Sequence, residues 1–195
     1  MASGDCEKIS LRDEHGGPLE GKKPSACGGA RKAHHPRLVS GGETLVKAEA
    51  RIEIERSPAL VYRFIAEDFA LNYPRWSPEV KELEINTQGP LRVGSVGRQV
   101  RVDQGRRTES VFRITQMEPA QRLTFESNAP NFLVDYHIAP QAEDRTQLTF
   151  TFELRRLELI MRPFEKLIRY AVQEGAQRNV RTLKRLIESE QERVS

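Results

Sequence analysis

From Leu157 to Glu192, apolar residues recur at every third or fourth position: Leu157, Ile160, Met161, Phe164, Leu167, Ile168, Ala171, Val172, Val180, Leu183, Leu186 and Ile187. That spacing predicts one long amphipathic helix. Such a helix cannot stand alone in water; its apolar face needs a broad partner. Pro163 falls in its first turn or marks a break there. Gly175 sits mid-helix, at a cost of ~1 kcal/mol relative to Ala, where it would permit close approach to a sheet or a ligand.

The partner is legible upstream. In residues 46–56, Val46, Ala48, Ala50, Ile52 and Ile54 alternate with Lys47, Glu49, Arg51, Glu53 and Glu55. Period two with one charged face predicts a strand of a half-buried antiparallel sheet. Ser57 and Pro58 read as N-cap and first residue of a helix, which carries Leu60, Val61, Phe64 and Ile65 inward. A second short helix is expected around Asp68–Tyr73, stopping before Pro74 because the residue preceding proline disfavours the helical region. Six further strands follow, Val80–Thr87, Val93–Asp103, Arg107–Met117, Arg122–Ser127, Phe132–Ala139 and Arg145–Leu154, separated by turn residues as in a meander. One helix across seven curved strands leaves part of the concave face unfilled, so a cavity is expected.

The first 44 residues differ in kind. They hold no Phe, Trp or Tyr and eight of the 13 glycines, too little apolar surface to offset the entropy of ordering. The expectation is a disordered tail over 1–44 and one domain over 45–195. Gly16-x4-Gly21-Lys22 approaches a phosphate loop, but Lys23 stands where Ser or Thr would reach magnesium, and no strand precedes it. Cys27, His34 and His35 lack a second cluster to complete a metal site. No apolar run reaches the ~20 residues a membrane helix needs. The start lacks the apolar stretch of a secretory signal, so a cytoplasmic protein is expected. A net charge of +3 is too small, without a clustered patch, to argue for nucleic acid.

Certain pieces carry a resemblance. They are the first strand running into Ser57-Pro58 with Val61 and Phe64, and the stretch Tyr73-Pro74-Arg75-Trp76-Ser77-Pro78-Glu79-Val80. To these add Met117-Glu118-Pro119 leading into Arg122-Leu123-Thr124-Phe125, and the terminal Leu183-Lys184-Arg185-Leu186. Over about 45–190 the pattern resembles the SRPBCC (START-like, helix-grip) superfamily, especially its polyketide cyclase/dehydrase branch. The resemblance implies an α+β helix-grip fold, with a seven-stranded curved antiparallel sheet wrapped around a long C-terminal helix and two short helices between strands 1 and 2. It also implies a cavity for a hydrophobic small molecule such as a lipid, polyketide, sterol or quinone. It fixes no single chemistry, because function lives in sites rather than folds.

Strand alternation nominates the residues that face the cavity. The third strand offers Val96, Arg98, Val100 and Val102. The fourth offers Ser110, Phe112 and Ile114; the fifth, Leu123, Phe125 and Ser127. The sixth and seventh offer Val134, Tyr136, Phe150 and their neighbours. The helix offers Phe164, Ile168 and Val172, and Trp76 either covers the mouth or packs a helix–strand corner. Among these, the polar entries are the informative ones. Arg98 either grips a ligand oxygen through its planar fork or sits near the mouth, reaching water or a strand-end carboxylate. Tyr136 either donates to a ligand carbonyl or is a core tyrosine satisfied by a neighbour. His137, on the opposite parity to Tyr136, should face solvent.

These residues favour a non-catalytic binding module for an apolar small molecule. A polyketide cyclase or dehydrase, with Arg98 steadying an enolate and Tyr136 moving a proton, is the alternative. A protein-interaction module of chaperone-activator type is a third. No cofactor is implied: residues 45–195 contain no cysteine and one histidine, and no nucleophile elbow or dinucleotide fingerprint occurs.

Overall fold

The computed structural model describes residues 46–103, 105–155 and 163–190. The expected tail and the helix positions Leu157, Ile160 and Met161 lie outside the described residues. The strands are β1 (Val46–Ile54), β2 (Val80–Ile85), β3 (Val96–Asp103), β4 (Arg106–Glu118), β5 (Arg122–Asn128), β6 (Asn131–Ala142) and β7 (Arg145–Leu154). Helices α1 (Pro58–Tyr62) and α2 (Phe69–Trp76) lie between β1 and β2, joined by a π-helical turn at Arg63–Glu67, and α3 (Glu165–Glu190) follows β7.

All neighbouring strands are antiparallel, in the order β1-β7-β6-β5-β4-β3-β2. β2 to β7 form a meander, and β1 closes on β7 with Ala50 opposite Phe150. Register shifts between Val80 and Glu82, Ile114 and Gln116, and Pro140 and Ala142 bend the sheet, as bulges do. The result is the helix-grip fold.

β1 is an edge strand, and α3 fastens to it. Gln173 Nε2 donates to the carbonyl of Glu49 and Lys184 Nζ to that of Glu53, each at 2.8 Å, while the Glu55 N–H donates to Glu188 Oε1 at 2.8 Å. These bonds occupy backbone groups that an exposed edge would offer to another chain. Ala176, Val180, Leu183 and Ile187, at the 4-3-4 spacing of one face, are buried in the core. The front of the helix behaves differently. Phe164, just before α3, and Leu167 are 54% and 65% exposed, whereas Ile168 and Val172 are half-buried, so the apolar face read from the sequence is fully buried only in its second half.

Two further details depart from the sequence reading. α2 continues through Pro74 to Trp76. Proline removes one backbone donor there, but ending the helix at Tyr73 would withdraw Trp76, 1% exposed, from the core. Ser57 takes the N-cap backbone position with Pro58 behind it, yet its hydroxyl makes no capping bond.

The aromatic residues of α2 decide where the core is filled. The Phe69 ring lies 6.0 Å from Phe112 and 5.7 Å from Phe125, and Tyr73 lies 5.9 Å from Phe125, all edge-on. This plugs the concave face over β4 and β5. The described residues leave the part under α3 open.

Candidate functional site

Between α3 and the concave face lies a cavity of about 610 Å³. Its apolar wall comes from β6 and β7 (Phe132, Val134, Phe150, Phe152) and from Ile168 and Val172 of α3. A second, shallower hollow of about 390 Å³ lies over the C-terminal half of α3, lined by Arg181, Lys184, Arg185 and Glu188. Its open, charged walls do not suit an apolar molecule.

The polar end of the large cavity is built by β3, β4 and the α2–β2 connection. Tyr73 donates to Gln99 Oε1 at 3.1 Å, and Gln99 Nε2 donates to Ser110 Oγ at 3.1 Å. All three are buried. Burial raises the Tyr73 phenol above its ordinary value, Arg101 opposing this only in part. Arg101 Nη1 donates to Ser77 Oγ at 3.1 Å, and its fork meets Asp103 at 3.2 and 3.3 Å. Glu79 joins the two walls: it accepts from Arg178 of α3 at 2.8 Å and lies 4.0 Å from Arg101. Burial works against the Arg101 charge, but the Tyr73 phenol, Asp103 and Glu79 outweigh it and hold the guanidinium protonated above the usual arginine range.

Tyr136 stands where polar end and apolar wall meet. Its hydroxyl accepts from Trp76 Nε1 at 3.0 Å. Burial pushes the phenol well above the usual tyrosine range, further raised by Tyr73 and only partly offset by Trp76 and Asn179. Asn179 Oδ1 nearby is buried with no hydrogen-bonding partner among the described residues.

Of the nominated residues, Trp76, Ser110, Val134, Tyr136, Phe150, Ile168 and Val172 line this cavity. Trp76 also packs the helix–strand corner, against Phe64, Phe69 and Tyr73. Phe112 and Phe125 sit in the core beneath α2, and Ser127, also buried, accepts from the Ala129 N–H at 3.3 Å. Phe164, just before α3, is exposed and lies outside the cavity lining. His137 is exposed.

Arg98 and Val100 require a correction: neither lines the cavity. The inward side of β3 is Gly97, Gln99 and Arg101. Register explains it: Gly97 pairs with Phe112, Gln99 with Ser110 and Arg101 with Thr108, and directly paired residues share a face. With Ser110 and Phe112 inward, Arg98, paired with Val111, must point outward. There it meets Glu109 at 2.7 Å, Glu82 at 3.5 Å and Glu84 at 3.7 Å.

Among the residues the sequence reading missed are Gln99, Arg101, Glu79, Asp103, Arg178 and Asn179. Asn179 had a signal: Ile168, Val172, Gly175 and Asn179 follow at intervals of four, three and four, so it is the polar member of an apolar stripe. Arg101 had none, because apolar residues on β3 fall on the outward parity.

Similarity to known proteins agrees with this geometry. Among solved structures, the Zhui aromatase/cyclase from Streptomyces sp. R1128 is 16% identical, with TM-score 0.61 over 76% of this chain and 95% of that one. A START superfamily protein from Mycobacterium smegmatis is 17% identical, with TM-score 0.56 over 76% and 99%. A protein from Thermus thermophilus is 18% identical, with TM-score 0.61 over 72% and 96%. At these identities the likeness is one of fold. No curated protein matches the sequence. The family model described as polyketide cyclase / dehydrase and lipid transport matches residues 46–188, and the chain belongs to that family.

Proposed function

We propose that the protein binds a neutral, largely apolar small molecule of the lipid, polyketide or quinone kind in the cavity under α3, its polar group directed at Ser110 and Tyr136. The observation that carries this reading is the charge balance at the polar end. Arg101 and Arg178 face Glu79 and Asp103, so the described residues at this end leave no net charge to compensate an ionic group brought out of water. Ser110 accepts from Gln99 and keeps a rotatable hydroxyl hydrogen to offer. The family description, which names both cyclases and lipid transport, supports the ligand class.

Titration with N-phenyl-1-naphthylamine, a neutral fluorescent probe, tests it. Saturable binding at one site per chain is expected, weakened about tenfold or more by Val172→Phe, which narrows the cavity. The anionic 8-anilino-1-naphthalenesulfonate should bind less well. No saturable binding, or equal affinity in the variant, would defeat the reading.

A second reading, a cyclase- or dehydrase-type enzyme, draws on Arg101. A guanidinium held charged in the cavity wall would steady a developing enolate oxygen, with the protonated Tyr136 as donor. Arg98, on the opposite face, has no part in it. Cyclisation of a poly-β-keto thioester, lost in Arg101→Leu while probe affinity holds, would support this version; no turnover by the wild type would remove it.

A further inference from the structure

We infer that Gly175 is a specificity-determining residue: its missing side chain leaves the helix wall of the cavity wide enough for a broad, ring-bearing apolar ligand, and a bulky residue there would exclude one. The inference rests on the binding role proposed above and names what that site selects for.

The described glycines separate by what requires them. Gly89, Gly94 and Gly105 have φ of +84°, +89° and +83°, a left-handed conformation that other residues rarely adopt. Gly97 is required by packing, since a Cβ there would run into the Phe112 ring. Gly175 meets neither demand. It is helical, and a Cβ built on it meets no atom of the described residues within 4 Å. Glycine is among the poorest helix formers, so the fold would be served better by alanine. Close approach to the sheet, the usual reason for a helical glycine, is absent.

What lies beside Gly175 is the cavity itself. On that wall Ala171 and Ala176 are also small, with Val172 and Asn179 on the same stripe as Gly175, whereas the facing strands carry the large rings of Phe150 and Phe152. The cavity is therefore wide where the helix wall has least side chain. A substituent at position 175, on the cavity lining, would take up space that a bound molecule uses.

Equilibrium binding of two neutral probes, naphthalene and the broader N-phenyl-1-naphthylamine, tests this in wild type, Gly175→Ala, Gly175→Leu and Glu174→Leu. Glu174 is exposed and lines no part of the cavity, so its variant controls for a leucine added to the same turn. Gly175→Ala should melt at a higher temperature than the wild type. Gly175→Leu, folded by circular dichroism, should lose affinity for the broad probe by about tenfold or more and keep naphthalene within about threefold. Glu174→Leu should bind both as the wild type does. Unchanged binding of the broad probe in Gly175→Leu would overturn the inference, as would parallel loss of both probes. A wild-type protein that binds neither probe would defeat the binding role itself, and the inference with it.

Discussion

The indole N–H of Trp76 donates to the Tyr136 hydroxyl at 3.0 Å, between rings set edge-on at 82° with centroids 6.1 Å apart. This bond ties α2 to the concave face at the boundary between filled core and open cavity. Both residues are 1% exposed. Tyr136→Phe removes the acceptor and leaves the indole N–H unpaired beside the cavity. Urea denaturation should show a loss of about 1–3 kcal/mol, the usual cost of orphaning a buried polar group. A loss under about 0.5 kcal/mol would mean that the bond contributes little beyond the hydrogen bonds water would supply.

Gly97 and Gly175 should respond in opposite directions to the same substitution. Gly97→Ala drives a methyl into the Phe112 ring and should cost about 1–3 kcal/mol, as overpacking of a tight core does. Gly175→Ala meets no described atom within 4 Å and should gain up to about 1 kcal/mol from helix propensity. Thermal or urea unfolding of the two variants side by side reads both signs.

Arg98 should prove irrelevant to the cavity. Arg98→Ala is expected to leave probe affinity unchanged, because its partners Glu82, Glu84 and Glu109 lie on the outer face. Weakened binding in this variant would contradict the register of β3 against β4.

The same ion pairs predict an acid dependence. A hydrogen bond from Arg107 holds Glu82 below its ordinary value of 4.5, and one from Arg98 does the same for Glu109. Folded-state values that are depressed favour the ionised native form, so this contribution is fully present above about pH 4.5. It is lost as pH falls through the folded-state values. Stability should therefore decline below that point, less steeply in Arg98→Ala and at high salt, where exposed pairs are screened. A wild-type acid transition identical to that of Arg98→Ala would remove the link.

The architecture was legible because each element carries its own period: the alternation of 46–54, the turn residues between strands, the three-and-four spacing of 176–187. The site was only partly so. Residues on β6, β7 and α3 were found because an apolar residue on the inward parity is also a wall of the cavity. The β3 assignment failed because a single strand shows its alternation but not its phase. Val96, Val100 and Val102 look like an inward face until register sets Gln99 against Ser110. Phe112 and Phe125 were nominated for the cavity because nothing in their own strands shows that Phe69 and Tyr73 arrive from a distant helix to cover them. Glu79, Arg101 and Arg178 come together from three elements, and no local pattern joins them.

The binding role in the cavity is tested most directly at Trp76, the one tryptophan of the chain and a residue of the cavity wall. Its indole N–H gives a single resonance in a nitrogen–proton correlation spectrum. Titration with N-phenyl-1-naphthylamine should shift that resonance saturably, in step with the probe's own fluorescence. An indole signal that stays still while the probe saturates would place the ligand elsewhere on the protein and contradict a binding role for this cavity.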